Sequence, residues 1–205
     1  MIRLTFILTL GLLTAGYAQT TQIKPKGIYK EIDVERHNKA LEILSGDNKD
    51  LKDKTVDNII NNPNYYNPPV IYALSKELFV RDRKREATYW FYVGQLRARY
   101  DANLCLDNTA KQGVSVLNST YGPDINKYAF ENIDSLEITV NKVVDFVRTN
   151  EENYDHRWIN LHGMDAVQNV KAKEISQPKD KWPEIKTKTV DDYYKGFIQY
   201  VKSKK

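Results

Sequence analysis

Two amphipathic segments stand back to back between residues 67 and 105 of this chain. In the first, apolar residues recur at spacings of three and four, at Val70, Ile71, Leu74 and Leu78. The second repeats that spacing with Ala87, Trp90, Phe91, Gly94 and Ala98. Side chains at these spacings share one face of an α-helix. The residues from 81 to 85 that separate the segments are all charged, so we expect a short exposed turn and an antiparallel helical hairpin.

The rest of the chain carries the same helical periodicity in shorter pieces. It predicts helices over residues 34–44, 53–61, 107–121 and 134–148, and a last helix from residue 189 onward. Gly122 and Pro123 predict the end of the helix that begins at residue 107. Residues 171–188 are polar and contain two prolines, which predicts a loop that Trp182 anchors to the body. The expected fold is all-α, an irregular bundle of antiparallel helical hairpins.

One motif lies inside the central hairpin. Ala73-Leu74 is followed by Glu86-Ala87-x-x-Trp90-Phe91-x-x-Gly94. This arrangement resembles one unit of the Sel1-like branch of the tetratricopeptide superfamily, over residues 68–102. Ser75 stands where the family has a glycine, and no second copy recurs at a period of about 34 to 40 residues. The resemblance implies helix-hairpin packing in this part of the chain and a role in binding other proteins.

The N-terminus has the pattern of a secretory signal peptide. Arg3 precedes an apolar run over residues 4–13, and small residues follow at Gly16 and Ala18. The run is shorter than the roughly 20 residues of a membrane-spanning helix, so we expect no stable membrane insertion. We predict cleavage after Ala18, a single helical domain over residues 19–205, and a periplasmic or secreted protein.

Composition narrows the class of partner. Lysine and arginine number 31 against 27 acidic residues, and a net charge of +4 is too mild to indicate nucleic acid. Cys105 is the single cysteine, which excludes an internal disulfide and favours a small buried residue over a nucleophile. Fourteen tyrosines and three tryptophans suit a recognition surface, because these rings combine apolar area with a polar tip.

Chemistry-bearing groups concentrate in one segment, with Asp155, His156, His162 and Asp165. In one interpretation the histidines act as metal ligands or as a general base oriented by a carboxylate. In the other they hydrogen-bond the loop and a neighbouring helix. Imidazoles six residues apart do not share a helix face, and no Cys or further His lies nearby, so we predict neither metal nor cofactor. We expect His37 to face solvent.

The central hairpin offers a second set of functional residues. Basic and aromatic side chains gather at its turn and along its second helix: Arg81, Arg83, Lys84, Arg85, Tyr89, Tyr92, Arg97, Arg99 and Tyr100. They are interpreted either as an ordinary solvated face or as a patch that binds an acidic surface of another protein.

Three hypotheses on function follow. Nucleophile motifs and glycine-rich phosphate loops are missing from the sequence, which favours a non-enzymatic role. We therefore expect an exported helical protein that binds another protein, of the type of an immunity protein against a secreted bacterial toxin. The alternatives are a small exported hydrolase or metal-binding enzyme that uses His156 and His162, and an envelope scaffold with several partners.

Overall fold

The structure is a computed structural model that describes residues 25–168 and 170–203 of the 205-residue chain. In this part of the chain the regular elements are helices, and it contains no β-strand, which confirms the all-α prediction. A lone antiparallel bridge joins Cys105 to Ser176. The predicted signal peptide and its cleavage site lie outside the described residues.

Eight α-helices follow one another along the described residues. They are α1 Glu35–Ser45, α2 Lys49–Asn61, α3 Pro68–Val80, α4 Lys84–Leu104, α5 Gln112–Ala129, α6 Ile133–Thr149, α7 Met164–Val167 and α8 Trp182–Lys202. Short 3-10 helices lie at Gly27–Glu31, Pro63–Tyr65, Asn108–Lys111, His156–His162 and Lys179–Lys181. None of the described helices combines the length and the apolar character that crossing a membrane requires.

The predicted central hairpin is formed by α3 and α4. Pro68 and Pro69 open α3, where their missing N–H groups cost no helical hydrogen bond. The chain reverses at Asp82, whose φ of 63° is left-handed, a conformation that Asp tolerates better than most residues. The amide of Arg83 closes the turn by donating to the Leu78 carbonyl at 2.9 Å.

Helix α4 forms the centre of the bundle, because α3, α5, α6 and α8 all pack against it. Between Ala87 and Leu104 its exposed residues are Arg99 and Asn103. The helices approach closely at Gly94, where a Cβ, if one were added, would lie 3.2 Å from Cδ2 of Tyr72. The small residue thus lets the buried Tyr72 ring lie against α4.

Helix α5 is longer than the sequence predicts. It continues through Pro123 to Ala129, so the expectation that Gly122 and Pro123 end it is wrong. A proline inside a helix costs about 3 kcal/mol, which other contacts must offset. Tyr92 of α4 donates a hydrogen bond to Asn126 at 2.9 Å and so fastens the turns beyond the proline.

Helix α8 also starts earlier than predicted, at Trp182 rather than at residue 189. Pro183 occupies the first turn, where a proline favours helix initiation. The side chains that follow are mostly polar and exposed, so the first two turns lack the apolar stripe that marks the rest of the helix. Trp182 anchors this end by donating to the Gln177 carbonyl at 2.8 Å.

Candidate functional site

The basic turn of the central hairpin is largely neutralised by its own neighbours. Arg81 pairs with Glu77 at 2.8 Å and also with Asp53. Arg83 pairs with Glu86 at 2.7 Å. Lys84 lies 3.4 Å from Asp82. The turn is therefore a set of local ion pairs rather than a bare basic patch.

The other predicted partner-binding residues divide between the interior and the surface. Tyr92, Arg97 and Tyr100 are buried, so the prediction that they contribute to an exposed patch is wrong. The reason is that helices surround α4 and leave it only a narrow exposed strip. Tyr89 is half-buried against Trp90 and Phe146. Exposed side chains remain at Arg85 and at Arg99, which lies over the Tyr193 ring.

The two histidines of the 155–165 segment lie in different surroundings. His156 contacts Asp101, whereas His162 is exposed and sets its ring against Trp158 at 5.7 Å. Asp155 is bound to Arg157 at 2.7 Å and caps the 3-10 helix that follows it. In the part of the chain that the structure describes, no group of three or more His, Cys, Asp or Glu side chains is placed to hold a metal ion.

Asp165 belongs to a structural junction built on Asp107. One carboxylate oxygen of Asp107 accepts from the amide of Thr109 at 2.8 Å, and the other accepts from the amide of Asp165 at 3.1 Å. Burial alone would raise the pKa of Asp107, but these donated hydrogen bonds outweigh it and lower that pKa. A Cβ at Gly163 would collide with the Asp107 carboxylate, so the junction requires glycine there.

Cys105 has the environment of an inert thiol. It is buried, and its Sγ donates to Oδ1 of Asn160 at 2.9 Å. Burial raises the pKa of the Cys105 thiol to about 11, so the reactive thiolate is scarce at neutral pH.

His37 is buried, which makes the expectation that it faces solvent wrong. Its Nδ1 accepts a hydrogen bond from the amide of Asn67 at 3.3 Å, and its ring lies edge-on to Tyr66 and Tyr154. It therefore helps to attach α1 to the start of α3.

Asp101 is the functional group that the sequence pattern does not reveal. Its carboxylate is fully buried and accepts three hydrogen bonds, from His156 Nδ1 at 2.5 Å, from Trp158 Nε1 at 2.6 Å and from the Tyr154 hydroxyl at 3.1 Å. All three donors lie more than fifty residues away in the sequence.

One helical turn before Asp101, Arg97 is completely buried as well. It donates to the Pro63 carbonyl at 2.9 Å and to the side chain of Asn64. Its Nε lies 3.5 Å from Oε1 of Glu152, whose other oxygen accepts from Lys186 of α8 at 2.8 Å. A chain of buried charges therefore links α4, the segment after α6, and α8.

His156 joins this charged network at its edge. Its ring is enclosed by those of Tyr100, Tyr154 and Trp182, with centroids 5.3, 4.8 and 5.3 Å away. Burial by itself disfavours the charged imidazolium, but the Asp101 carboxylate outweighs burial and raises the pKa of His156. The folded protein therefore holds a proton on His156 more tightly than the unfolded chain does.

Tyr100 and His156 line an open cleft that encloses about 1110 Å³. One wall is the first half of α8, with Trp182, Lys186 and Val190. The segment after α6 and the loop over residues 173–179 form the other walls. The lining carries five lysine or arginine side chains and four aspartate or glutamate side chains. This cleft therefore combines aromatic surface with charges of both signs.

Comparison with known proteins assigns the chain to no family. No protein-family model, curated protein or solved structure matches it. The Sel1-like resemblance of the central hairpin stays a prediction.

Proposed function

We propose that this protein is a helical binding protein that recognises another protein through the cleft between α8 and residues 148–157. The observation that carries the proposal is the make-up of that cleft, in which the rings of Tyr100 and Trp182 lie below a rim of exposed charges. Aromatic surface framed by polar groups is typical of protein recognition sites.

The size of the cleft favours a polypeptide segment as its occupant. Pockets for small molecules enclose about 300–1,000 Å³ and bury most of the ligand. Here about 1110 Å³ opens to solvent along two turns of α8. An extended segment or a loop of a partner fits such an open trough better than an enclosed small molecule does.

The exposed charges at the rim of the cleft can discriminate between partner proteins. Glu151, Lys173, Glu174 and Lys179 are exposed, and none of them forms an ion pair within the described chain. Such rim charges contribute little to affinity but select partners whose charges are complementary.

We further propose that the protein works in the periplasm or outside the cell, as an immunity-type inhibitor of a secreted bacterial toxin. The predicted signal peptide supports the location, and the absence of nucleophile motifs from the sequence supports a role in binding. An envelope scaffold would differ in measurable ways, because it would bind several partners with modest affinity and would neutralise no toxin.

Charge reversal at the rim tests the binding site. The variants Glu151→Lys and Lys179→Glu should weaken capture of the partner from the envelope of the host, because both exposed side chains line the cleft. Arg85→Glu is the matched control on the exposed hairpin. Loss of the partner in Arg85→Glu alone would place the interface on the hairpin and contradict the proposal.

One observation favours a second function, a small exported hydrolase. An imidazole whose Nδ1 is held by a buried carboxylate is the arrangement of a general base, and His156 with Asp101 has this geometry beside an open cleft. A hydrolytic activity that disappears in His156→Ala, with the far-ultraviolet circular dichroism spectrum unchanged, would favour the enzyme over the binding protein.

A further inference from the structure

We propose that the floor of the cleft holds a carboxylate-binding subsite, formed by His156 and Tyr100, which receives an aspartate or glutamate side chain of the partner protein. This inference rests on the proposed function, since it assigns a chemical group of the partner to the same cleft.

Two hydrogen-bonding groups at this floor lack a partner among the described residues. Asp101 engages Nδ1 of His156, and no described residue hydrogen-bonds its Nε2 or the hydroxyl of Tyr100. The His156 side chain is 10% exposed and Tyr100 is 4% exposed. Neither atom is fully enclosed, because the fully buried side-chain atoms that lack a partner among the described residues belong to Asn67, Arg97 and Glu152. An acceptor that enters the cleft can therefore reach both groups.

The charges beneath the cleft also favour an anion. Arg97, Lys186 and protonated His156 carry three positive charges, whereas Asp101 and Glu152 carry two negative charges. The buried cluster therefore has one positive charge in excess when His156 is protonated. An incoming carboxylate balances this charge, whereas an ammonium group increases the imbalance.

The number of donors suits a carboxylate in particular. The ring centroids of His156 and Tyr100 lie 5.3 Å apart, and both side chains line the cleft. Burial raises the pKa of Tyr100, and the nearby Glu152 and Asp101 raise it further, so its hydroxyl keeps its proton. A carboxylate has two oxygens and can accept from both donors at once.

The subsite implies that binding depends on pH. Several groups face His156 from the elements around it: Asp101 and Tyr100 on α4, Trp182 and Lys186 on α8, and Glu152 and Tyr154 on its own segment. Because Nδ1–H donates to the Asp101 carboxylate, only the protonated ring can also donate from Nε2. Affinity for a carboxylate should therefore fall about tenfold for each pH unit above the pKa of His156.

Two blocked amino acids that differ in charge test the subsite. N-acetylglutamate methylamide carries the side-chain carboxylate, and N-acetylglutamine methylamide is its neutral counterpart. The measurement is the titration of the histidine ring nitrogens by nuclear magnetic resonance, in the purified protein with each compound added. The glutamate compound should move the His156 titration to higher pH, and the glutamine compound should leave it unchanged. His37 and His162 serve as controls within the same chain.

Two variants test whether binding of the glutamate compound depends on the side chains of the subsite while the protein stays folded. Tyr100→Phe removes a single oxygen and should weaken binding of the glutamate compound several-fold, and His156→Gln should abolish the response. Circular dichroism checks that both variants are folded. No movement of the His156 titration, equal movement with both compounds, or equal movement of His37 or His162 would overturn the subsite.

The same variants distinguish this inference from the proposed function. If Glu151→Lys and Lys179→Glu lose the partner while Tyr100→Phe and His156→Gln keep it, partner binding in the cleft stands and the carboxylate subsite fails. If the rim variants keep the partner as well, the proposed function fails. Release of the captured partner by excess glutamate compound, but not by the glutamine compound, supports both.

Discussion

Asp101 and His156 stand 55 residues apart in the sequence, yet Oδ1 of Asp101 lies 2.5 Å from Nδ1 of His156. This contact fastens the segment after α6 to the central helix and fixes which nitrogen of the imidazole faces the carboxylate. Because Trp158 and Tyr154 donate to the same carboxylate, one side chain of α4 organises the whole segment.

Replacing the buried carboxylate should be costly. Asp101→Asn keeps the shape of the side chain but leaves three donors without an anionic acceptor, so the free energy of unfolding should fall by about 3 kcal/mol. Urea denaturation measures this loss. Asp124→Asn, at an exposed position of α5, is the control and should change stability by less than about 0.5 kcal/mol. Equal effects of the two substitutions would contradict the central role of Asp101.

The same contact predicts a pH dependence. The pKa of His156 is raised above its ordinary value of 6.5, so the stabilisation from its pairing with Asp101 is complete below pH 6.5 and is lost as pH rises through the raised pKa. In Asp101→Asn the pKa of His156 should fall, because burial is then opposed by fewer negative charges. Titration of the ring by nuclear magnetic resonance measures this shift, and an unchanged pKa would be evidence against the pairing.

The contribution of His37 to stability should change with pH in the opposite direction to that of His156. Burial lowers its pKa below 6.5, so the unfolded chain takes up the proton more readily than the folded protein does. The free energy of unfolding should therefore decrease as pH falls below 6.5. His37→Asn keeps an acceptor near the Asn67 amide but does not titrate, so its stability should depend less steeply on pH in this range. The same dependence in both proteins would assign the acid sensitivity to other groups.

Two glycines form a matched pair for a stability test. Gly163→Ala should destabilise the protein by about 1–3 kcal/mol, because the added methyl group displaces the Asp107 carboxylate that caps the neighbouring helices. Gly196→Ala meets no neighbour within 4 Å and should stabilise α8 by up to about 1 kcal/mol. Thermal unfolding of both variants measures the difference. Stabilisation by Gly163→Ala would show that the junction does not need glycine.

Cys105 should resist alkylation while the protein is folded. Its thiol is buried, and its pKa is raised to about 11, so iodoacetamide at neutral pH should modify it only slowly. In urea the same thiol should react at the rate of a free cysteine. Mass spectrometry of the two samples measures the contrast, and rapid labelling of the folded protein would mean that Cys105 is accessible.

The spacing of apolar residues by itself determined most of the helices. In α3 the apolar spacing follows two prolines at the start of the helix, and in α6 it follows Asn132, whose side chain accepts from the amide of Ser135. In both helices the residues at the start and the apolar spacing indicate the same element. The helix prediction was wrong in two places: one where tertiary contacts outweigh a helix-breaking residue, and one where the apolar spacing is missing. Pro123 predicts a break, but Tyr92 and Asn126 hold α5 together across it. The first turns of α8 carry too few apolar residues for their spacing to predict a helix.

The site was decided by tertiary structure alone. In a helix with one buried face, apolar residues recur on that face and polar residues occupy the face in contact with solvent. The sequence pattern therefore identifies the buried side of such a helix. From Ala87 onward α4 is surrounded, so Arg97 and Asp101 look like residues of a solvated face while they lie in the interior. Their partners come from segments far along the chain, and only packing brings them together. The sequence therefore located the helices and the histidines, whereas the pairing of His156 with Asp101 required the fold.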